Sequence, residues 1–534
     1  MKVALCQINT ILGNFDYNYD KIIKYYNKSI QLNSDIVVFP ELAITGYPPQ
    51  DLLLNNEFIN ENLNVLSKIA KNSTKPIIIG YVRAGKKNIY NSAAICFDGK
   101  FQSSYDKVLL PTYDVFDEER YFTSGINPKV STIPVGKNVL NVGLQICEDL
   151  WDNNYKCKVS AIQKELGADI LINISASPFH KDRLVKRRSI IEEKVKSLNL
   201  PFLYCNMVGA QDELIFDGQS IGLSDRGNLI AYGNPFEEEV VLVDTDRNQE
   251  LEVNFQSTEE KTYNALCLGV KDYFYKTGHK EAVIGLSGGI DSALVAAIAT
   301  EALGCDKVHG VSLPSKYSSD HSLKDAEDLT STLGISYQVI PIQKCVDEME
   351  QTLKSCFSGH SPNVAEENIQ ARIRGDILMA LSNKFGWMVL STGNKTELAL
   401  GYCTLYGDMS GGLSVISDLS KTDVYSLANW INSKYPGRIP VGSIKKPPSA
   451  ELAPNQVDPY DYDIVSPLVD LIIEEGKTII QLSELGIDKE LVNLIYQKIR
   501  LSEYKRRQAA PGLRVSTKAF GIGRRFPIVN HFKN

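Results

Sequence analysis

Eight consecutive residues, Gly285-Leu286-Ser287-Gly288-Gly289-Ile290-Asp291-Ser292, combine glycines, hydroxyls and one carboxylate between an apolar run and an alanine-rich helical pattern. Glycines at such a turn let the main chain approach a polyanion closely. Ser287 and Ser292 add hydroxyl donors, and a helix N-terminus offers free N–H groups with a partial positive charge. A carboxylate beside phosphates repels them, so Asp291 makes sense as a holder of Mg²⁺, which takes carboxylate and phosphate oxygens together. The spacing matches neither the Gly-x-x-x-x-Gly-Lys-Ser/Thr loop nor Gly-x-Gly-x-x-Gly, and the lack of the second argues against a dehydrogenase.

Three segments of the first half each set a polar residue just beyond an apolar run: Phe39-Pro40-Glu41, Tyr105-Asp106-Lys107 and Gln145-Ile146-Cys147-Glu148-Asp149. Layered α/β folds commonly present chemistry at such strand ends. A cysteine thiolate can attack an amide, but a free thiol is mostly protonated near neutral pH and needs a base or a positive neighbour. Of the six histidines only His180 lies in the first half. Lys107 can instead stabilise the thiolate and a tetrahedral oxyanion, while Glu41 relays a proton to departing ammonia. Glu148 and Asp149, next to the cysteine, would raise its pKa unless a cation opposes them.

Four more segments of the second half stand out: Asn368-Ile369-Gln370-Ala371-Arg372-Ile373-Arg374, Leu390-Ser391-Thr392-Gly393-Asn394-Lys395-Thr396-Glu397, Pro447-Pro448-Ser449-Ala450-Glu451-Leu452 and Glu503-Tyr504-Lys505-Arg506-Arg507-Gln508. Taken alone, the first reads equally as an exposed helix and the second as a strand ending in a turn.

The elements that must position these groups fall into two α/β stretches. In the first, Lys2–Ile8, Asp35–Phe39, Pro76–Tyr81, Ser92–Phe97, Val139–Ile146, Ile170–Ile174 and Val240–Val243 read as strands, with amphipathic Tyr19–Leu32 and Phe58–Ala70 between early ones. A polar seam, Asp244–Glu260, sets the domain boundary near residue 255. Beyond it Tyr263–Lys276, Asp291–Leu303 and Ser322–Leu333 read as helices, and Ala282–Leu286 and Val308–Leu313 as strands. Strand and helix in alternation predict a mostly parallel sheet covered on both sides.

Taken together, the motifs resemble known families. Ser-Gly-Gly-x-Asp-Ser at Ser287–Ser292 resembles the loop of the ATP pyrophosphatase superfamily, whose members adenylate a substrate oxygen and let a nucleophile displace AMP. With the four later segments in this order, the second half is similar to the NAD⁺ synthetase family, ligases that amidate nicotinic acid adenine dinucleotide (deamido-NAD). The resemblance implies that residues 285–292 with Thr392, Lys421 and Ser449 bind ATP, and that Asn368, Glu397 and Lys505 contact deamido-NAD. It also implies that Asp291 and Glu397 hold Mg²⁺, and that Pro447–Leu452 is a mobile loop closing over the reacting centre.

Glu41, Lys107 and Cys147 resemble the Glu–Lys–Cys triad of the nitrilase superfamily, specifically the glutamine amide-transfer domain fused to NAD⁺ synthetases. On that resemblance Tyr113, Ser177 and Arg183 grip the glutamine, Arg183 through a two-point contact with its carboxylate. The implied fold is α/β: a nitrilase-like α-β-β-α sandwich over residues 1–255, a linker at 256–262, and a doubly wound parallel-sheet ATP pyrophosphatase domain, adenine nucleotide alpha hydrolase-like, over 263–534. The implied reaction hydrolyses glutamine through a thioester at Cys147 and passes ammonia internally to the second site. Other ligases of the superfamily, such as asparagine or GMP synthetase, share the glycine loop but use different glutamine domains. A nitrilase-type amidase carrying a non-catalytic nucleotide sensor leaves Asp291 and Glu397 without a purpose.

Composition narrows the partners. The 534 residues carry 57 basic and 64 acidic side chains, a net charge of −7, which argues against a nucleic-acid-coating or membrane-hugging protein. The apolar run at the start, Val3–Cys6, is too short for a signal-peptide core, and nowhere do 18 apolar residues follow one another. The ten cysteines form no Cys-x-x-Cys pair, so the expectation is reduced thiols in a cytoplasmic enzyme of small-molecule substrates. Families of this kind form homo-oligomers, here a dimer or an octamer.

Overall fold

Val, Ile and Leu runs form most strands of the first half. The computed structural model describes residues 1–454 and 456–532, so the end of the second expected domain, 533–534, lies outside the described residues. The chain divides into two units, Met1–Gln256 and Ser257–Asn534.

The first unit contains β1 (Lys2–Gln7), β2 (Ile36–Val38), β3 (Ile77–Ala84), β4 (Ile89–Phe97), β5 (Lys100–Asp106), β6 (Val130–Val135), β7 (Asn138–Ile146), β8 (Ile170–Ser175), β9 (Phe202–Asn206), β10 (Val208–Gln211), β11 (Leu214–Asp217), β12 (Ile221–Leu223), β13 (Leu229–Tyr232) and β14 (Glu239–Asp244). Two six-stranded sheets result, in the orders β14-β1-β2-β3-β4-β5 and β13-β12-β9-β8-β7-β6. They share one plan: three adjacent parallel strands, β1–β3 in one and β7–β9 in the other, flanked by antiparallel partners.

The inner faces of the sheets meet in one cluster that includes Val3, Leu5, Val38 and Ile78 from one sheet and Leu144, Ile146, Ile172 and Leu203 from the other. Alternation along β3 then sends Ile77 and Ile79 outward onto Ile22 and Tyr26 of α1 (Phe15–Gln31) and Val65 and Ile69 of α2 (Asn56–Asn72). On the far face α3 (Val159–Glu165) packs on β7, and Ile191 and Val195 of α4 (Arg183–Leu198) pack on Leu171, Phe202 and Tyr204. Each such buried side chain contributes about 1.5–3 kcal/mol. The layers are therefore α-β-β-α.

The second unit runs α5 (Thr258–Thr277), β15 (Ala282–Gly285), α6 (Ile290–Leu303), β16 (Val308–Ser312), α7 (Asp320–Leu333), β17 (Ser336–Val339), α8 (Gln343–Leu353), α9 (Val364–Phe385), β18 (Met388–Ser391), α10 (Lys395–Leu400), β19 (Leu413–Ser414) and α11 (Lys421–Lys434), followed by shorter helices. Helix α5 begins inside the expected 256–262 linker, because Ser257 caps it by accepting from the Glu260 N–H. The sheet order is β17-β16-β15-β18-β19 with every neighbouring pair parallel. Helix α6 packs on β15 and β16 and also against α5 and α11, so Ala293–Ala299 is buried all round and needs no polar face. On the other face Val283, Val311 and Val389 pack against Val346 of α8 and Ile369 and Ile373 of α9. The chain goes one way from β15 through β16 to β17, then returns to β18 and β19 on its other side. That switch opens a crevice at the carboxyl ends of β15 and β18. Among the described residues no helix is long and apolar enough to cross a membrane.

Candidate active sites

In the first unit, Glu41 lies just past β2, Lys107 just past β5 and Cys147 just past β7. The chain at Glu41–Leu42 crosses directly over β3 at Gly80, where a Cβ would stand 2.6 Å from Glu41 Cα, so only glycine lets it through. Glu41 is fully buried and its oxygens are all engaged: Oε1 accepts from Asn91 Nδ2 (2.7 Å) and Lys107 Nζ (2.8 Å), and Oε2 from the Ala176 N–H (2.9 Å). Lys107 Nζ also donates to both oxygens of Glu118, at 2.8 and 2.9 Å, and Tyr47 OH donates to the same carboxylate. Burial alone would lower the Lys107 pKa; Glu118 and Glu41 more than offset it and hold the amine charged. Burial pushes the Glu118 carboxyl up, against the pull of Lys107.

Cys147 begins a 3-10 turn in the left-handed region, φ 41°, where residues other than glycine are uncommon and strained. Burial raises its thiol pKa well above the ordinary value. Glu41 adds to the rise, Lys107 opposes it, and Glu148 contributes less. The resting sulfur is therefore a neutral thiol. Asp149, expected from the sequence to bear on the thiol, turns away: its carboxylate accepts from the Ile146, Val108 and Leu109 N–H groups and from Tyr105 OH.

The three residues implied for glutamine fall around this centre. Arg183 Nε donates to Ser177 Oγ at 2.9 Å, and the guanidinium lies 4.0 Å over the Trp151 ring. The Ser177 N–H is held by Asn206 Oδ1. Half-exposed Tyr113 donates to Glu148, the residue after Cys147, as does Tyr155. Glu118 and Asn91 were not singled out from the sequence, since Glu118 sits in the charged run Asp117-Glu118-Glu119-Arg120 that reads as a solvated face.

In the second unit, the glycine loop joins β15 to α6. Gly288 has φ 73°, and a Cβ there would meet the Ser322 backbone at 2.7 Å from its Cα. A cavity of about 290 Å³ is lined by the loop (Gly288 excepted) together with Thr392, Glu397, Lys421 and Ser449. Arg374, Ser443, Lys446 and Asp458 line it too. Ser443 Oγ is buried without a hydrogen-bond partner among the described residues, a group that a ligand would satisfy. Burial lowers Arg374 to about 10, which still leaves it charged near neutral pH.

Asn394 caps α10 through the Glu397 N–H and donates to Asp291 Oδ1 at 2.9 Å. Lys421 Nζ pairs with Asp291 Oδ2 and lies 3.3 Å from Glu397 Oε1. Burial pushes the Glu397 carboxyl up, against Lys421. Asp291 and Glu397 both line the cavity with one ammonium between them, a hard-oxygen donor pair of the kind that fits Mg²⁺ completed by phosphate oxygens.

The segment implied to be mobile is docked over the cavity. Glu451 accepts from Ser319 Oγ (3.0 Å), Ser322 Oγ (2.9 Å) and Lys446, and Gln370 donates to the Leu452 carbonyl. Asn368 and Lys505 are not in the cavity wall. Asn368 accepts from Thr404 Oγ1, and Lys505 Nζ donates to the Gly401 and Cys403 carbonyls, both on the segment after α10. A small recess lined by Glu397 and Cys403 lies there.

A family model described as carbon-nitrogen hydrolase matches residues 2–254, and one described as NAD synthase matches residues 262–509. A glutamine-dependent NAD(+) synthetase of Thermotoga maritima is 42% identical, aligning over 100% of this chain and 99% of its own length. One from Synechocystis is 41% identical over 99% of each. The solved structure of glutamine-dependent NAD+ synthetase from Acinetobacter baumannii in complex with adenosine diphosphate is 36% identical, with a TM-score of 0.80 over 99% of this chain and 98% of the other.

Proposed function

The chain belongs to the glutamine-dependent NAD(+) synthetase family, and from that premise we propose that its first unit releases ammonia from glutamine and its second fixes that ammonia onto deamido-NAD. It is a ligase with a nitrilase-type first domain and an NAD synthetase second domain.

In the first unit the Cys147 thiol gives its proton to Glu41 as sulfur attacks the side-chain amide carbon of glutamine. Lys107 stabilises the oxyanion that forms. Glu41 returns the proton to the departing nitrogen, the C–N bond breaks, and a thioester remains for water to hydrolyse to glutamate. Ser177, Arg183 and Tyr113 hold the substrate. In the second unit the loop 285–292, Thr392, Lys421 and Ser449 hold ATP while a carboxylate oxygen of deamido-NAD attacks the α-phosphorus and pyrophosphate leaves. Ammonia then displaces AMP to give NAD⁺. Asn368, Glu397 and Lys505 contact deamido-NAD. Asp291 and Glu397 are the residues that would hold Mg²⁺, which when bound neutralises phosphate charge. The resemblance brings with it a cytoplasmic homo-oligomer, dimer or octamer, and an internal transfer of ammonia.

The observation that carries the reading is the buried junction in which Lys107 Nζ sits 2.8 Å from Glu41, beside a thiol at the end of β7. Cys147→Ala should abolish NAD⁺ formation from glutamine and keep formation from ammonium salts. Loss of both in a folded protein would contradict two separate centres.

A further inference from the structure

Lys107 follows β5 at the edge of one sheet and Cys147 follows β7 in the other, so no ladder hydrogen bond fixes their separation. Something else must. Asp149 is fully buried, and its bonds run to the chain beside both residues. Oδ2 accepts from the Ile146 N–H (3.0 Å), immediately before Cys147, and from Tyr105 OH (2.9 Å). Oδ1 accepts from the Val108 N–H (3.1 Å) and the Leu109 N–H (3.0 Å), immediately after Lys107.

We propose that Asp149 is a positioning residue, a single carboxylate that clips the segment carrying Lys107 to the turn carrying Cys147. This rests on the reading that those two residues act on glutamine. The clip holds more than two groups, because Tyr113 and Glu118 lie on the same segment after Lys107 and Glu148 on the turn after Cys147. It also secures the left-handed turn at Cys147, whose strained backbone persists only if its surroundings dictate it. Four donors converge on two oxygens, so an ionised acid is the side chain that suits the place. An asparagine keeps one acceptor oxygen and must turn its amide donors toward two of the four donors, whichever way it sits.

The full-length chain tests this through glutamate release measured against glutamine concentration. Asp149→Asn should lower kcat about 10–100-fold, since a misplacement near 1 Å can cost about 100-fold. KM should rise by less than kcat falls, because Ser177 and Arg183 are bonded to each other and to Asn206 rather than to Asp149, and only Tyr113 of the three lies on the clipped segment. Tyr105→Phe removes one of the four bonds and should lower kcat about 3–10-fold. A purely structural role would reduce the yield of folded protein and leave kcat per folded molecule unchanged, which would overturn the proposal. So would a fall in kcat matched by an equal rise in KM. If Asp149→Asn does not fold, Tyr105→Phe decides alone, and a wild-type kcat there overturns it. A Cys147→Ala chain that still forms glutamate removes the underlying reading instead; with that variant dead, a wild-type kcat in Asp149→Asn overturns only this inference.

Discussion

Lys107→Met keeps most of the side chain's length, ending one atom short of Nζ, and removes the charge that pairs, at 2.8 Å each, with Glu41 and Glu118. With an effective dielectric constant of about 20, one pair at that distance is worth about 6 kcal/mol before desolvation is charged against it. Measured losses on breaking a buried pair run to about 3–5 kcal/mol, because a buried charge is left uncompensated. Here two are left, and two buried carboxylates facing one another cannot both stay ionised. One takes up a proton. If it is Glu41, Cys147 loses its base; if it is Glu118, Glu41 remains unscreened and the oxyanion still lacks its cation. Glutaminase kcat should fall at least about 10³-fold. Stability should fall by about 3–5 kcal/mol near neutral pH. Burial already pushes the Glu118 carboxyl up and Lys107 no longer opposes it in this variant, so the deficit should be absent at acid pH and grow as pH rises through the folded value. Glutamate release and urea unfolding at two pH values measure both effects. Glutaminase within tenfold of wild type, with stability unchanged at both pH values, would exclude Lys107 as the cation that holds Glu41 and Glu118.

Asp291→Asn should suppress pyrophosphate release about 100-fold while glutamate formation at Cys147 continues, as separate assays of the two products would show. Glu451→Ala removes the acceptor of Lys446, Ser319 and Ser322, so the 447–452 segment should loosen and KM for ATP rise about 10-fold or more, read from initial rates. Burial raises Asp149 from 3.8 to about 6. A raised carboxyl contributes its full stability below its unfolded pKa and loses it as pH climbs through the folded one, about 3 kcal/mol between roughly pH 4 and 6. Urea unfolding of Asp149→Asn should lack that component of the slope; a slope equal to wild type would contradict it.

The groups set at strand ends were legible in the sequence because an apolar run followed by a polar residue marks the place where buried backbone meets a site. Glu41 and Cys147 stand in that pattern, as does the glycine loop, whereas Lys107 follows a strand with no apolar run and is marked only by the resemblance. Glu118 was not, because its charged neighbours look solvated and only the fold turns it onto Lys107. The role expected of Asp149 was wrong for a related reason: adjacency along the chain put it near the thiol, while the turn at Cys147 points it at backbone N–H groups. Strand β5 escaped notice because Lys-Phe-Gln-Ser-Ser-Tyr-Asp lies at a half-exposed edge and carries no apolar run. Strand β9, Phe-Leu-Tyr-Cys-Asn, is buried on both faces between β8 and β12, so it shows no alternation to separate it from a helix segment. The docking of Glu451 onto Ser319 and Ser322 joins residues about 130 apart, beyond any spacing rule.

If nitrogen leaving glutamine at Cys147 ends in the product amide, that amide carries the label of the glutamine donor. Wild-type protein supplied with amide-¹⁵N glutamine, Mg-ATP and deamido-NAD, with a pool of unlabelled ammonium present, tests it by mass spectrometry of the NAD⁺ formed. One ¹⁵N in the product amide, with AMP and glutamate formed alongside, is the expected result. NAD⁺ carrying only unlabelled nitrogen, or ADP in place of AMP, would contradict it.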